Sequence, residues 1–408
     1  MRLARAISRR RFLAGAGTAA VSACVSRATQ AQPTPDAVRV IRALGSGYDG
    51  TIPGATLRVK RGEELTVRLV NELDEHAAIH WHGVRLINAM DGVPSLTQPP
   101  VLPGASFDYR LRPPDAGTFW YRGYAAPQID RGLYGALIVE EPEPVAVDRE
   151  ILLVLGMPRD NDSAPLHVNG AVRPDFQVAR GERLRLRLIN ATAARGVVLK
   201  LDGHAPWVMA LDGQPAEPFL ARDARVGLAP GGRADLFVDM NGDAGTITPI
   251  LAGNEPIARL VYDQANNLRS PPRADPAALP PNPLPARIDL KGSLRVELSL
   301  DTLRLAARPL DPAGPPLFTV RRGRAVTLAL RNPLAQPQVL HLHGHSFRLL
   351  DRLDDGWKPY WLDTLVVGTE TERIAFVADN PGKWLIDFRA LEQPQSNPWG
   401  AAVWFAVT

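Results

Sequence analysis

Leu57-Arg-Val-Lys-Arg-Gly-Glu-Glu-Leu-Thr-Val-Arg-Leu-Val-Asn71 returns twice along the chain. It recurs as Phe176-Gln-Val-Ala-Arg-Gly-Glu-Arg-Leu-Arg-Leu-Arg-Leu-Ile-Asn190 and as Phe318-Thr-Val-Arg-Arg-Gly-Arg-Ala-Val-Thr-Leu-Ala-Leu-Arg-Asn332. Each copy reads as a short strand, an Arg-Gly turn, and a run of apolar/polar alternation that stops at Asn. A period of two marks a strand with one buried face, and self-similarity at a fixed interval marks one structural unit used several times. The copies start roughly 120 to 140 residues apart, about one sandwich domain each. A second echo follows in each unit, at Gly117-Thr-Phe-Trp-Tyr121, Gly245-Thr-Ile-Thr-Pro249 and Gly382-Lys-Trp-Leu-Ile386. No stretch sustains helical periodicity. The fold class is therefore all-β, with three sandwiches of antiparallel sheets.

Composition agrees. The chain has 408 residues, too many for one typical domain, and its 38 prolines and 34 glycines favour strands and turns over long helices. The repeats place a first domain at 36–145, a second at 146–264 and a third at 287–408. Between the last two, the proline-rich stretch 265–286 reads as an extended, solvated linker.

Residues 1–31 hold six arginines and no acid, so the formal charge of +4 becomes −2 without them. Nothing in the remainder argues for nucleic acid or for an electrostatic membrane patch. Ser8-Arg-Arg-Arg-Phe-Leu13 followed by a Gly/Ala run resembles a twin-arginine (Tat) signal peptide, which implies export of an already folded protein to the periplasm. Cleavage would follow Ala31. Alternatively, Val21-Ser-Ala-Cys24 resembles a lipobox that would leave a lipid anchor on Cys24, the route by which the chain would meet a membrane. Cys24 is the chain's one cysteine. The remainder has no disulfide and no thiolate to offer a metal.

Two short stretches carry the chemistry: His80-Trp-His-Gly83 and His341-Leu-His-Gly-His345. Residues two apart on a strand share a face, so each His-x-His projects two imidazoles one way. Brought together, the stretches would aim four imidazoles into one pocket suited to copper, zinc or another borderline metal. The plainer alternative for either pair is polar strand surface.

Together with Met90-Asp-Gly-Val-Pro94, Gly117-Thr-Phe-Trp-Tyr121 and Gly132-Leu-Tyr-Gly-Ala-Leu-Ile-Val139, these motifs resemble the three-domain multicopper oxidases (laccases, bilirubin oxidases, bacterial cuprous oxidases). The resemblance spans essentially the whole chain after the leader. It implies three cupredoxin-like Greek-key β-sandwich domains, with the site between the first and third. It also implies a type 1 copper that takes electrons from substrate and a trinuclear cluster that reduces dioxygen.

The family's closing motif, His-Cys-His-Ile-x-x-His, is here Asp387-Phe-Arg-Ala-Leu-Glu-Gln393. Phe388 stands for the cysteine, and Gln338 and Gln393 stand for the two type 1 histidines, so ordinary laccase activity is not expected. Of the trinuclear positions, one type 3 copper would be ringed by His82, Arg122 and Arg389. Two guanidiniums there would repel a cation. The other would see Tyr124, His343 and Asp387. The type 2 position keeps His80 and His341, and Asp91 corresponds to an acid that moves protons near it.

The expectation is at most one copper, bound mainly by His80 and His341 with help from His343. His82 and Asp387 are further candidate ligands, and Asp91 is the candidate catalytic acid. Such a protein would handle copper or perform limited oxidoreductase chemistry on an unknown small molecule. The alternative is a copper-free envelope scaffold with a protein partner, like the Tat-exported SufI/FtsP branch that supports cell division.

Overall fold

The Arg-Gly turn of each repeat carries the chain from one sheet to another. In the first copy, Gly54–Lys60 belongs to a sheet with Tyr134–Glu140, Gly117–Gly123 and Ile79–His82, whereas Leu65–Asn71 lies between Arg39–Leu44 and Ser106–Leu111. Asp175–Arg180 and Arg183–Asn190 divide between two sheets in the same way, as do Thr319–Val320 and Ala325–Arg331. The turn glycines Gly62, Gly181 and Gly323 have φ of +80°, +80° and +82°, a region open to glycine at little cost.

The computed structural model describes residues 38–157, 165–267, 273–301, 310–334, 336–350, 356–392 and 401–408. The leader and Gln393 lie outside them. Six sheets of four to six strands arise in three successive stretches of sequence, two sheets to each stretch. The helices among the described residues are single turns, as at Ala126–Asp130. The architecture is the all-β set of cupredoxin-like sandwiches.

Pairing departs from the antiparallel expectation. A strand that arrives from the opposite sheet meets its neighbour running the same way. Leu57 pairs in parallel with Leu137, Phe176 with Leu260, and Thr319 with Ala406. The other sheet of each pair has its own parallel contact: Val40 with Arg68, Ile151 with Leu186, and Val296 with Leu328.

The asparagine that ends each repeat has one role used three times. Asn71 donates to the carbonyls of Glu75 and Val101, both at 2.8 Å, and its side-chain oxygen accepts the Leu73 N–H. Asn190 does the same to Arg195, Leu228 and Thr192. Asn332 repeats it with Gln336, Val367 and Leu334. All three are fully buried. Each side chain closes its own turn and ties it to a second segment of backbone. Asn→Ala at any of them should cost roughly 2–4 kcal/mol, because buried carbonyls lose their donors. Comparable drops in thermal midpoint for Asn71→Ala, Asn190→Ala and Asn332→Ala would establish the equivalence.

Each pair of sheets encloses an apolar core, around Val67, Leu69, Tyr109 and Leu137 in the first, Leu186, Leu199, Leu236 and Leu260 in the second, and Leu328, Leu340, Phe376 and Phe405 in the third. The polar half of the alternation in the second repeat is not solvated. Arg185 and Arg187 are buried, and both reach Asp235 Oδ2, at 2.5 and 3.1 Å. Thr118 of the strand Gly117–Gly123 donates to Asp235 Oδ1 at 2.5 Å, and Glu141 accepts from Arg185 at 2.7 Å. A row of arginines that reads as a wet face is a charge-matched joint between the first two sandwiches.

The proline-rich stretch also departs from expectation. Leu279 and Asn282 are buried, and Asn282 bonds to the backbone of Ala116 on both sides and to Gln214. That part of the linker is strapped to the joint.

Candidate metal centre

Strand Ile79–His82 pairs antiparallel with Gly117–Gly123, so His80 lies across from Arg122 and His82 across from Trp120. In the third sandwich, Gln338–Leu342 lies between Gly382–Ala390 and Thr364–Val367. There His341 pairs with Asp387, Leu340 with Phe388, and Val339 with Arg389. Alternation sends Leu340, Leu342 and Phe388 into the apolar core and turns His341 and Asp387 to the other face. The two His-x-His motifs meet, as the sequence leads one to expect, and all four imidazoles are buried.

The pair His80 and His341 has a particular geometry. His80 Nδ1 faces the Asp91 carbonyl at 2.8 Å, and His341 Nδ1 faces the Asp363 carbonyl at 3.1 Å. A carbonyl only accepts, so both Nδ1 atoms carry protons and donate. Burial, and then the neighbouring His343, hold His80 well below the usual imidazole range; burial also pushes His341 down to about 4. These shifts favour the neutral form of each ring, in which Nε2 carries the lone pair. Those two atoms face each other at 3.2 Å. Opposed lone pairs at that distance repel unless a cation lies between them. The tautomers are fixed by the kind of partner that commonly orients metal-ligating histidines.

The other candidates have other partners. Nitrogens of His80, His82 and His341 lie within 4.8 Å of one another. However, the His82 ring stacks on His341 with centroids 3.6 Å apart and planes 13° from parallel. A metal sits in the plane of each imidazole that binds it, and two nearly parallel planes do not meet at a nearby ion. His82 Nε2 instead contacts Thr364 Oγ1 at 3.0 Å.

His343 lies between two carboxylates, with Nδ1 at 2.9 Å from Asp91 Oδ2 and Nε2 at 3.1 Å from Asp387 Oδ2. Burial would lower its pKa, but Asp91 and Asp387 outweigh burial and raise it. Both of its nitrogens are directed at carboxylate oxygens. Asp387 is likewise occupied by His343, by Arg122 Nη2 at 3.8 Å and by Arg389 Nε at 3.4 Å. Tyr124 packs against the apolar group of Val93, Leu96, Leu385 and Trp404. Two groups of ligand atoms come together, His80 with His82 and His341 and His80 with Asp91 and His343, and within them His80 and His341 face each other with both Nδ1 atoms on carbonyls. Asp91 aims His80 through its carbonyl and His343 through its carboxylate.

The fit of the family's coppers differs by position. Two lone pairs converging between His80 and His341 fit one ion. The type 3 volume holds the buried guanidinium of Arg122 with Arg389 beside it, and these do not fit a cation. At the position that the resemblance assigns to type 1 copper, Phe388 is part of the third core, and Gln338 donates to the Gln336 carbonyl at 3.2 Å. A phenyl and a carboxamide do not fit that copper either. No step is assigned to coppers there.

Sequence reading missed Asp212, Arg233, Asp363 and Thr364, which surround the back of His341 and His82. They belong to no spaced motif, and Arg233 sits in an alternating strand where an arginine reads as surface. Gly231 lies so near the site that a Cβ there would come within 2.8 Å of His82 Cε1.

Three family profiles, each described as multicopper oxidase, match residues 30–144, 140–248 and 285–404. A solved multi-copper oxidase from Pseudomonas thermotolerans is similar at 31% identity and a TM-score of 0.79, with 91% of this chain and 99% of that one covered. Lac15, from a marine microbial metagenome, is similar at 32% identity and a TM-score of 0.76, over 91% and 98%. The multicopper oxidase MmcO of Mycobacterium tuberculosis is 28% identical over 83% of this chain and 79% of its own length. With three matched profiles, the shared sandwiches and the paired His-x-His motifs at their junction, this chain belongs to the multicopper oxidase family, whose metal is copper.

Proposed function

We propose that this protein binds one copper ion, held by His80 Nε2 and His341 Nε2, and that it handles copper without the family's usual route of electron entry. The observation that carries this reading is the approach of two buried Nε2 atoms to 3.2 Å, with both Nδ1 atoms directed at carbonyls. Copper there would supply a redox-active Lewis acid. The chain's own part is to hold the two imidazoles in the binding tautomer, to exclude water by burial, and to keep Asp91 and His343, 2.9 Å apart, beside them as a pair able to pass a proton. With Phe388 and Gln338 at the type 1 position, electrons would have to come from a small molecule that reaches this pocket.

Metal analysis of protein from copper-fed cells should give about one copper per chain, a mononuclear paramagnetic signal and no blue thiolate band. His80→Ala and His341→Ala should each lower copper affinity by more than the roughly 10–100-fold typical of outer-shell changes. His167→Ala, distant in sequence from both motifs, should leave affinity unchanged.

A second reading is favoured by Arg122 and Arg389, whose guanidiniums lie 3.8 and 3.4 Å from Asp387 and place positive charge beside the histidines without a metal. In that reading the protein is a copper-free scaffold in the envelope, and wild type would take up no copper. The arginine-rich leader supports export to the periplasm under either reading, with lipid attachment at Cys24 as the alternative processing. Fractionation of cells carrying Arg9→Lys/Arg10→Lys/Arg11→Lys chains, which should stay inside, tests export.

A further inference from the structure

The middle sandwich supplies none of the candidate ligands, yet it grips the segment that aims one of them. Arg233 is fully buried on the strand Arg233–Asp239. Its Nη1 and Nη2 donate to the two carboxylate oxygens of Asp363 at 2.8 and 2.5 Å, a bidentate fork. The same nitrogens also donate to the Gly231 carbonyl at 3.0 Å and the Asp212 carbonyl at 2.9 Å. Asp212 completes the grip. Its Oδ2 accepts the N–H groups of Asp363 and Thr364, both at 3.1 Å, and its Oδ1 accepts the Arg233 N–H at 3.1 Å.

Asp363 is the residue whose carbonyl takes the His341 Nδ1 proton, and Thr364 pairs with His341 across the ladder. The Asp363 carboxylate also stands 3.5 Å from His341 Nδ1 and 3.6 Å from His82 Nε2. The first sandwich closes over the fork: a Cβ on Gly83 would lie 2.1 Å from Arg233 Nη2 and 2.5 Å from Asp363 Oδ2. Three sandwiches therefore meet at one guanidinium, one hydrogen bond away from the residue that orients His341.

We infer that Arg233 and Asp212 are positioning residues for the metal: through Asp363 they set the angle at which His341 Nε2 meets His80 Nε2, and with it copper affinity and ligand geometry. This rests on the single-copper reading above. A metal bond is directional, so a ligand displaced by a fraction of an ångström binds more weakly, and orienting partners are worth roughly 10–100-fold in affinity.

The test uses the full chain, with Cu(II) as the probe. Affinity is measured by competition with a chelator, and electron paramagnetic resonance is recorded on each loaded protein. Arg233→Lys keeps the charge and loses the fork, and Asp212→Asn loses an acceptor for the Asp363–Thr364 backbone. Arg85→Lys is the control. Arg85 forks onto Asp115 at 2.7 and 2.8 Å and reaches Asp379 at 3.1 Å, so it also joins the first sandwich to the third, but it bonds to neither His80 nor His341.

The expected result is about a 10–100-fold loss of affinity and an altered hyperfine pattern in Arg233→Lys and Asp212→Asn. Arg85→Lys should lower the thermal midpoint with affinity and spectrum unchanged. Unchanged affinity and spectrum in Arg233→Lys and Asp212→Asn would overturn the inference and leave the single-copper reading intact. An equal loss in Arg85→Lys would also overturn it, since that is general loosening of the domains. Wild type that binds no copper overturns the reading itself. If Arg233→Lys does not fold, Asp212→Asn decides.

Discussion

Asp387→Asn is expected to lower stability by about 3–5 kcal/mol, the usual cost of removing one partner from a buried charge cluster. The substitution keeps the shape of the side chain, removes its charge and turns one acceptor oxygen into a donor. Burial alone would raise the Asp387 pKa, but Arg389, then His343 and His341, hold it far below the ordinary carboxylate range. The direction of that shift follows from the positive groups that surround the carboxylate. Without it, Arg122 and Arg389 are left without their shared carboxylate, and Arg122 is already destabilised as a cation by burial and by Arg389.

The drop is read as a shift in urea or thermal midpoint on metal-free protein, where ligand binding does not compensate. Adding Arg122→Met to Asp387→Asn should recover part of the loss, because the pair is coupled through one site. A loss under about 1 kcal/mol, the size of an exposed pair, would mean that Asp387 does not hold the cluster together.

Asp235→Asn is expected to be comparably costly and to act differently. Asp235 is the shared acceptor for Arg185, Arg187 and Thr118, so its loss leaves two buried guanidiniums dependent on Glu141 and Glu150. The destabilisation should again be about 3–5 kcal/mol. Because the cluster lies at the joint between the first two sandwiches, calorimetry should show one shared transition in the parent and two separated transitions in the variant. A variant that still melts in the parent's pattern would assign the coupling to the apolar contacts of the joint.

The sheet pattern was legible because period-two alternation is a local consequence of strand geometry, and three copies of the Asn-terminated motif made it unmistakable. The convergence of His80 with His341 was legible through the motifs that flank them. Three things were not. Whether the arginines of Arg183–Asn190 face water or a neighbour depends on what packs against that strand, which alternation does not encode. His82 shares a motif with His80, yet its ring stacks on His341, and a spacing rule is blind to ring orientation. Asp212, Arg233 and Asp363 lie up to 151 residues apart in sequence, so only the assembled junction reveals them as one unit. The proline-rich stretch misled for a related reason: proline content reports an extended backbone and says nothing of an Asn282 inserted between neighbours.

The parallel closures have a consequence for the order of events during synthesis. A sandwich whose early strand waits for a partner some eighty residues downstream stays open until that partner leaves the ribosome. Phe176 waits for Leu260, and Thr319 waits for Ala406. The first sandwich is complete early and carries His80 and His82 in finished form. His341 sits in a sheet that is sealed by Ala401–Val407, the last strand to emerge among those described. The two histidine pairs are therefore born far apart in time, and their imidazoles can face one another only after Ala401–Val407 has been made.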